Sequence, residues 1–184
     1  IAIVTIGTSL YNGSMDISHK QLHELVEFLD SQEYKIIILR STVAIGTCEA
    51  LSANLNSAVI VFAPERTIEG NAIEELKSLP QILASPDQEA IRVASSLFNK
   101  LEIKLMVTSS FIEGEMAKLM CNVRRDYEFA FVNEMALVCR KLGINSKNLI
   151  RLSSEGYERF SCKATGPVSG PCLTKDTIIL NESL

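Results

Sequence analysis

Tryptophan is absent from this 184-residue chain, and proline (5), glycine (9) and histidine (2) are sparse. So small a supply of Gly and Pro excludes collagen-like and low-complexity architectures and leaves a chain built mainly of regular elements. His19 and His23 lie four apart with no third ligand beside them, so they are read as part of a solvated helix face and not as a metal site. The five cysteines, Cys48, Cys121, Cys139, Cys162 and Cys172, are odd in number, irregularly spaced and without a Cys-x-x-Cys pair. That pattern argues against a disulfide framework or a zinc site and favours reduced thiols in the cytoplasm. No apolar run approaches the roughly 18 residues that span a bilayer, and Ile1-Ala2-Ile3-Val4 lacks the basic flank of a signal peptide. A net charge of -4, with no Lys/Arg cluster interleaved with aromatics, offers no field for a polyanion. Neither a membrane nor a nucleic acid is an expected partner.

One further absence bears on chemistry. A dinucleotide-binding sheet normally carries Gly-x-Gly-x-x-Gly between its first strand and first helix, where phosphates meet a helix N-terminus. The chain has no such loop. Either it does not bind a dinucleotide or the half bearing that loop lies upstream. The first residue is not methionine and the chain opens inside a β-rich run, so the second alternative is the expectation.

Ile1-Ala2-Ile3-Val4-Thr5-Ile6 reads as a buried strand ended by Gly7-Thr8. A helix follows from about Ser18 to Ser31, with Leu22, Leu25, Val26 and Leu29 at helical spacing and Asp16 or Ser18 as caps. Further strands are expected over Lys35–Leu39, Ala58–Phe62 and Ile103–Val107. The helices between them are expected near Thr47–Leu55, Ile73–Leu79 and Pro86–Leu101. Such alternation predicts an α/β fold with a parallel sheet covered on both faces. Ligands of these sheets sit beyond the carboxyl ends of the strands. Gly7-Thr8, Ser41-Thr42 and Glu65-Arg66 fall there.

From Phe111 to Leu142 the pattern becomes one long helix, with Gly143 as its C-cap. Met116, Leu119, Met120, Val123, Phe131, Val138 and Leu142 give it broad apolar faces of the kind found between domains or at a dimer interface. Glu115, Lys118, Asn122, Arg125 and Asn133 run along another face, and Lys118 and Asn122, four apart, project together. Asparagine is a poor helix former, so its presence twice in this helix points to retained hydrogen bonds. Arg125 is read as a structural partner for Glu115 or a nearby carboxylate. After Gly143 the chain reads as polar and loop-rich until Thr177-Ile178-Ile179-Leu180, which opens a helix. Within that stretch Gly170-Pro171-Cys172-Leu173-Thr174-Lys175-Asp176 places a cysteine in a Gly/Pro loop followed by a lysine and a carboxylate. A thiolate is the nucleophilic form of cysteine and is favoured beside cations or at a helix N-terminus. The bland alternative is a small buried hydrophobe.

Three separated motifs agree with one family. Ala63-Pro64-Glu65-Arg66-Thr67-x-x-Gly70-x-Ala72-x-x-Glu75-Leu76 comes first. Glu115-x-x-Lys118-x-x-x-Asn122-x-x-Arg125, continuing to Asn133-Glu134, is the second, and the Cys172 segment is the third; Ser41-Thr42-Val43-x-x-Gly46-Thr47 adds a fourth match. The chain resembles the nucleotide-sugar 6-dehydrogenases, the family of UDP-glucose, GDP-mannose and UDP-N-acetylhexosamine dehydrogenases. Its Pro-Glu-Arg tip is most similar to the UDP-N-acetylhexosamine branch, acting on the ManNAc or GlcNAc sugar, with UDP-glucose 6-dehydrogenase as the alternative. The resemblance implies a four-electron oxidation of a sugar C6 alcohol to the acid, with NAD as cofactor and a UDP-sugar as substrate. It implies residues 1–110 as the C-terminal half of a Rossmann-like NAD domain and 111–184 as a central helical domain, with a homodimer formed through the helix 111–142.

Roles follow from the same resemblance. Cys172 would capture the aldehyde as a thiohemiacetal and then a thioester, and Lys118, with Asn122, would stabilise the oxyanion. Asp176 and Glu65 would order or activate the hydrolytic water, and Thr42 would hold that water or the cofactor. Gly7, Thr8, Ser41, Thr42 and Glu65 would line the cofactor. Arg66, Lys118, Asn122 and Gly170 would meet the substrate. Ser169, Thr177, Ala44 and Ser9 depart from the family's usual Gly, Pro, Pro and Pro, marking a divergent member. With neither the Gly-rich loop nor a C-terminal nucleotide-sugar domain in the chain, this stretch alone is expected to be inactive. A catalytically silent dimerisation module is the alternative from another class.

Overall fold

The computed structural model describes residues 1–10, 14–68, 70–160, 165–166 and 172–183, leaving aside the side chains of Ile17 and Thr174. Five strands, β1 (Ala2–Val4), β2 (Ile36–Leu39), β3 (Val59–Phe62), β4 (Gln81–Ala84) and β5 (Leu105–Thr108), form one sheet in that order. Helices α1 (Asp16–Ser31), α2 (Thr47–Ser52), α3 (Ala72–Ser78) and α4 (Gln88–Asn99) alternate with them. Then come α5 (Phe111–Leu142), α6 (Ser146–Ser154) and α7 (Leu173–Glu182). The α/β reading holds. The pairings β1–β2, β2–β3 and β4–β5 are parallel, and the one antiparallel contact, Phe62 opposite Ala84, joins β3 to β4.

The apolar runs of β2 and β3 are continuous because both faces of the sheet are covered. Ile37, Leu39, Ile60 and Phe62 point to a cluster shared with Leu22 and Val26 of α1 and Cys48 and Leu51 of α2. Ile38, Val61 and Leu83 point the other way, against Ala90, Ile91, Ala94 and Phe98 of α4. Each fully buried Leu, Ile or Phe contributes about 1.5–3 kcal/mol by leaving water, so these two layers dominate the sheet's stability. The edge strands differ. In β1 Val4 is buried, but Ile3, like Ile1 just before the strand, is more than half exposed, and Met106 and Val107 of β5 are likewise open. Of the three residues of β1, only Val4 meets the expectation of a buried first strand.

Elements begin where local chemistry allows. Asp87 caps α4 by accepting the N–H of Ala90 at 2.8 Å, one residue inside the expected start at Pro86. Helix α1 starts at Asp16 after Met15, with neither Asp16 nor Ser18 serving as the cap: Ser18 Oγ donates instead to the Ser9 carbonyl at 2.6 Å. Asp30, near the end of α1, accepts the N–H groups of Asn56, Ser57 and Ala58 ahead of β3, and these bonds hold its carboxyl well below the usual range.

The chain divides into two compact units, Ile1–Leu119 with Ile178–Leu184, and Met120–Thr177, so that α5 and α7 each contribute to both. Among the described residues no helix is long and apolar enough to cross a membrane.

Candidate active site

In the first unit the tips of β1 and β2 are stitched together. Thr8 Oγ1 donates to the Thr42 carbonyl, and Ser41 Oγ donates to the Ile6 carbonyl at 2.7 Å. Each hydroxyl thus ties the tip of one strand to the backbone of the other. Between them a side chain placed on Gly7 would meet nothing within 4 Å among the described residues. That leaves an open, side-chain-free strand tip of the kind a flat ring can approach. The arrangement fits the nicotinamide side of a dinucleotide, and Gly7, Thr8, Ser41 and Thr42 are the residues that would border it.

Glu65, at the tip of β3, is pinned by three donors: Arg40 to one oxygen, and the N–H groups of Arg66 and Thr67, at 2.8 and 2.9 Å, to the other. Burial works against ionisation, but these hydrogen bonds outweigh it and bring the carboxyl down to about 2. So acidic a group is a weak proton acceptor. Its expected role toward a water is a matter of proposal, with the carboxylate ionised and its oxygens already engaged by these donors. Arg66 is turned inward as well, donating to the carbonyl of Pro80. This fastens the Pro64–Thr67 turn and leaves its guanidinium with fewer donors for a substrate than expected.

Glu115, one turn before Lys118 on α5, is completely buried. Its two oxygens accept the N–H groups of Gly46, at 2.7 Å, and Cys48, at 2.8 Å. Those bonds, and not the anticipated Arg125, are its partners; Arg125 is exposed. Burial pushes the Glu115 carboxyl above its ordinary value, although the backbone donors oppose the shift. The same surroundings push the buried Cys48 thiol up. Lys118 is itself buried, at 7% exposure.

In the second unit Cys172 is exposed, which removes the buried-hydrophobe reading; Cys48 and Cys139 take that role instead. Its carbonyl accepts the N–H of Asp176 at 3.0 Å, placing Cys172 at the N-cap of α7. The Cys172–Asp176 stretch expected as loop is thus the first turn of a helix, where free N–H groups favour an anion. Asp176 is buried, and Asn122 Nδ2 donates to its Oδ2 at 2.6 Å. Oδ1 has no hydrogen-bond partner among the described residues, with Lys175 Nζ at 3.9 Å. A buried carboxylate oxygen left open in this way is an acceptor for a water or a substrate hydroxyl. Gly170 lies outside the described residues, as does Cys162.

Two contacts were not anticipated. Thr177 Oγ1 donates to Asp126 Oδ2 at 2.8 Å, and the Asn133 amide grips the backbone of Gly166 twice, giving Nδ2–H to its carbonyl and accepting its N–H, both at 2.9 Å. Asn133 stood out in the sequence as a helical asparagine. Asp126 had only the weaker signal of lying one turn after Asn122.

Residues 1–102 match the NAD binding domain of the UDP-glucose/GDP-mannose dehydrogenase family, and residues 113–184 match its central domain. The chain belongs to this family. A UDP-N-acetyl-D-mannosamine dehydrogenase of Pyrococcus horikoshii is 27% identical over 192 residues, covering 98% of this chain and 45% of that protein. One from Yersinia pestis is 31% identical over 159 residues, covering 77% and 37%. The solved structure of the P. horikoshii enzyme superposes with a TM-score of 0.88 at 26% identity, over 98% of this chain and 45% of that one. The chain therefore spans a little under half the length of these relatives. For a member of this nucleotide-sugar dehydrogenase family, the strand tips belong to the matched cofactor domain and the Cys172 helix to the matched central domain.

Proposed function

We propose that this chain supplies the catalytic centre of an NAD-dependent, cytoplasmic UDP-N-acetylhexosamine 6-dehydrogenase of the N-acetylmannosamine type. Residues 1–110 serve as the second half of the cofactor domain and 111–184 as the central domain. The observation that carries this reading is the cluster at the start of α7. There an exposed Cys172 caps the helix, and one turn on, the buried Asp176 is held by Asn122 with one oxygen open. A two-electron dehydrogenase has no use for such a thiol.

Gly7, Thr8, Ser41 and Thr42 would border NAD, which when bound would supply the hydride acceptor for two oxidations. The chain's own residues do the rest. Once C6 is an aldehyde, the Cys172 thiolate adds to it, forming a C–S bond and placing the carbonyl electron pair on oxygen. Lys118, a compact cation in a buried setting, neutralises that oxygen. Asn122 spends one N–H on Asp176 and has a second to give. After the second oxidation leaves a thioester, a water hydrogen-bonded to Asp176 Oδ1 passes a proton to that carboxylate as its oxygen attacks the acyl carbon; the C–S bond then breaks with its electron pair on sulfur, giving the acid and the thiolate. We further propose a homodimer through the α5 helix, supported by the exposed Tyr127, Phe131 and Val138 on its outer side.

The test uses the complete polypeptide that carries this sequence, assayed for NADH formed per UDP-sugar across UDP-N-acetylmannosamine, UDP-N-acetylglucosamine and UDP-glucose. Two NADH per sugar are expected, with the first substrate preferred. Cys172→Ser should form no acid, and Lys118→Ala should lose on the order of a hundredfold or more in rate. One NADH per sugar, or complete oxidation by Cys172→Ser, overturns the mechanism; preference for UDP-glucose overturns the substrate.

A further inference from the structure

Three side chains of α5 in the second unit form hydrogen bonds to the segment that carries Cys172, and they fall on one stripe. Asn122, Asp126 and Asn133 are separated by four and seven residues, and the 11 residues from first to last make about three turns of helix, so they project in one direction. Their partners bracket the thiol. Asn133 grips Gly166, six residues before Cys172, at two points of 2.9 Å. Asp126 accepts from Thr177, five residues after it, at 2.8 Å, beside the bond from Asn122 to Asp176. Gly166 has φ +142, a conformation that side-chain-bearing residues rarely adopt, so the two-point grip fixes an otherwise permissive backbone. Thr177 carries the hydroxyl that makes the downstream bond.

We propose that Asn133 and Asp126 are positioning residues that clamp the Cys172 segment from both sides and so set where the thiol stands. Neither touches the reacting atoms. The inference rests on the catalytic assignment of Cys172 given above. Three part-buried hydrogen bonds contribute only modestly to global stability, but a nucleophile displaced by about 1 Å can lose a hundredfold in rate. The clamp is therefore expected to matter more for turnover than for folding.

The experiment compares Thr177→Val, which deletes the hydroxyl, with Thr177→Ser, which keeps it, and Asn133→Leu, which removes both amide bonds, with Asn133→Asp, which keeps an acceptor for the Gly166 N–H. In the complete polypeptide, Thr177→Val and Asn133→Leu should lower kcat for acid formation by about fivefold or more, with KM for the UDP-sugar within about twofold. Thr177→Ser should restore wild-type turnover, and Asn133→Asp should fall between Asn133→Leu and wild type. Cys172 should be alkylated by iodoacetamide at an altered rate relative to Cys121 in the same molecule, resolved by peptide mass spectrometry, in the Val and Leu variants only. If Cys172→Ser abolishes acid formation while the Val and Leu variants keep both wild-type kcat and wild-type alkylation, the clamp is overturned and the cysteine assignment stands. If Thr177→Ser loses as much as Thr177→Val, the hydroxyl bond is not the cause and the clamp is overturned again. If Cys172→Ser forms acid normally, the assignment itself fails and the clamp falls with it.

Discussion

Glu115 shows how one residue can do structural work that its sequence neighbourhood hides. It is buried, accepts two backbone N–H groups from the β2–α2 connection, and has its carboxyl raised by burial. A folded chain that binds this proton more tightly than the unfolded chain loses stability as pH climbs from the ordinary value of 4.5 through the raised one. Glu115→Gln abolishes that slope, because the amide does not titrate there. It also leaves one of the two N–H groups facing an NH2, at a cost of about 1–2 kcal/mol. Urea unfolding of both proteins at several pH values between 4.5 and 8 checks this: the wild type should lose stability across the range relative to the variant, and the variant should be the weaker at the acidic end. Parallel slopes would show that Glu115 does not titrate in that window. The sequence placed Glu115 on the right helix face but paired it with Arg125. A carboxylate's backbone partners nearly 70 positions away leave no trace in local spacing.

At the scale of elements, α5 meets the sheet through a glycine. A Cβ added at Gly114 would lie 2.7 Å from the Cβ of Ala84 in β4 and 3.2 Å from the Phe62 ring in β3. Alanine is the better helix former by about 1 kcal/mol, so propensity alone predicts that Gly114→Ala stabilises. The neighbour at 2.7 Å is a methyl group fixed to a strand, with no rotamer by which to move, and overpacking of this kind costs about 1–3 kcal/mol. Packing outweighs propensity. The variant should melt several degrees below wild type by circular dichroism, and an equal or higher melting temperature would mean that α5 does not seat on the sheet here. The elements legible in the sequence were α1 to α5 by their helical spacing and β1, β2, β3 and β5 by their apolar runs, with ends displaced by a few residues. Strand β4 went unread because Gln81-Ile82-Leu83-Ala84 is four residues between Pro80 and Ser85, too short for a period to show. Helix α6 went unread although Asn145 caps it by accepting the N–H of Asn148 at 3.1 Å, since it is only 9 residues long, mostly polar, and buries none of them. The N-terminal turn of α7 was mistaken for loop because Gly170 and Pro171 immediately precede it. Cys172 and Asp176 stood out in the sequence even so, since residue type and spacing are local properties that do not depend on reading the helix.

Across the whole molecule, buried apolar packing is unevenly shared. Among the described residues all three clusters of buried apolar side chains belong to the first unit. The second unit presents a stripe along α5 made of Met120, Tyr127, Phe131, Val138 and Leu142, exposed by 43% to 70%. The intervals of seven, four, seven and four residues sum to about six helical turns, so the five side chains face one way for the whole half-helix. The polar stripe of Asn122, Asp126 and Asn133 is rotated well over 100° from it at about 100° per residue. One side of α5 thus holds the Cys172 segment, and another is an apolar face on which the Phe160 ring meets Phe131 edge-on at 6.4 Å while all five side chains stay substantially exposed. Five large apolar side chains on one stripe exceed what a monomer leaves open by chance, and a second copy of the same stripe is the self-complementary cover. Sedimentation velocity over a range of concentrations should find dimers. Tyr127→Glu combined with Val138→Asp should shift them to monomers, because each places a charge in a face that would lose water, while the melting of the first unit's sheet stays unchanged. A wild-type chain that remains monomeric up to about 100 μM, a concentration at which even micromolar affinity gives mostly dimer, would overturn the homodimer.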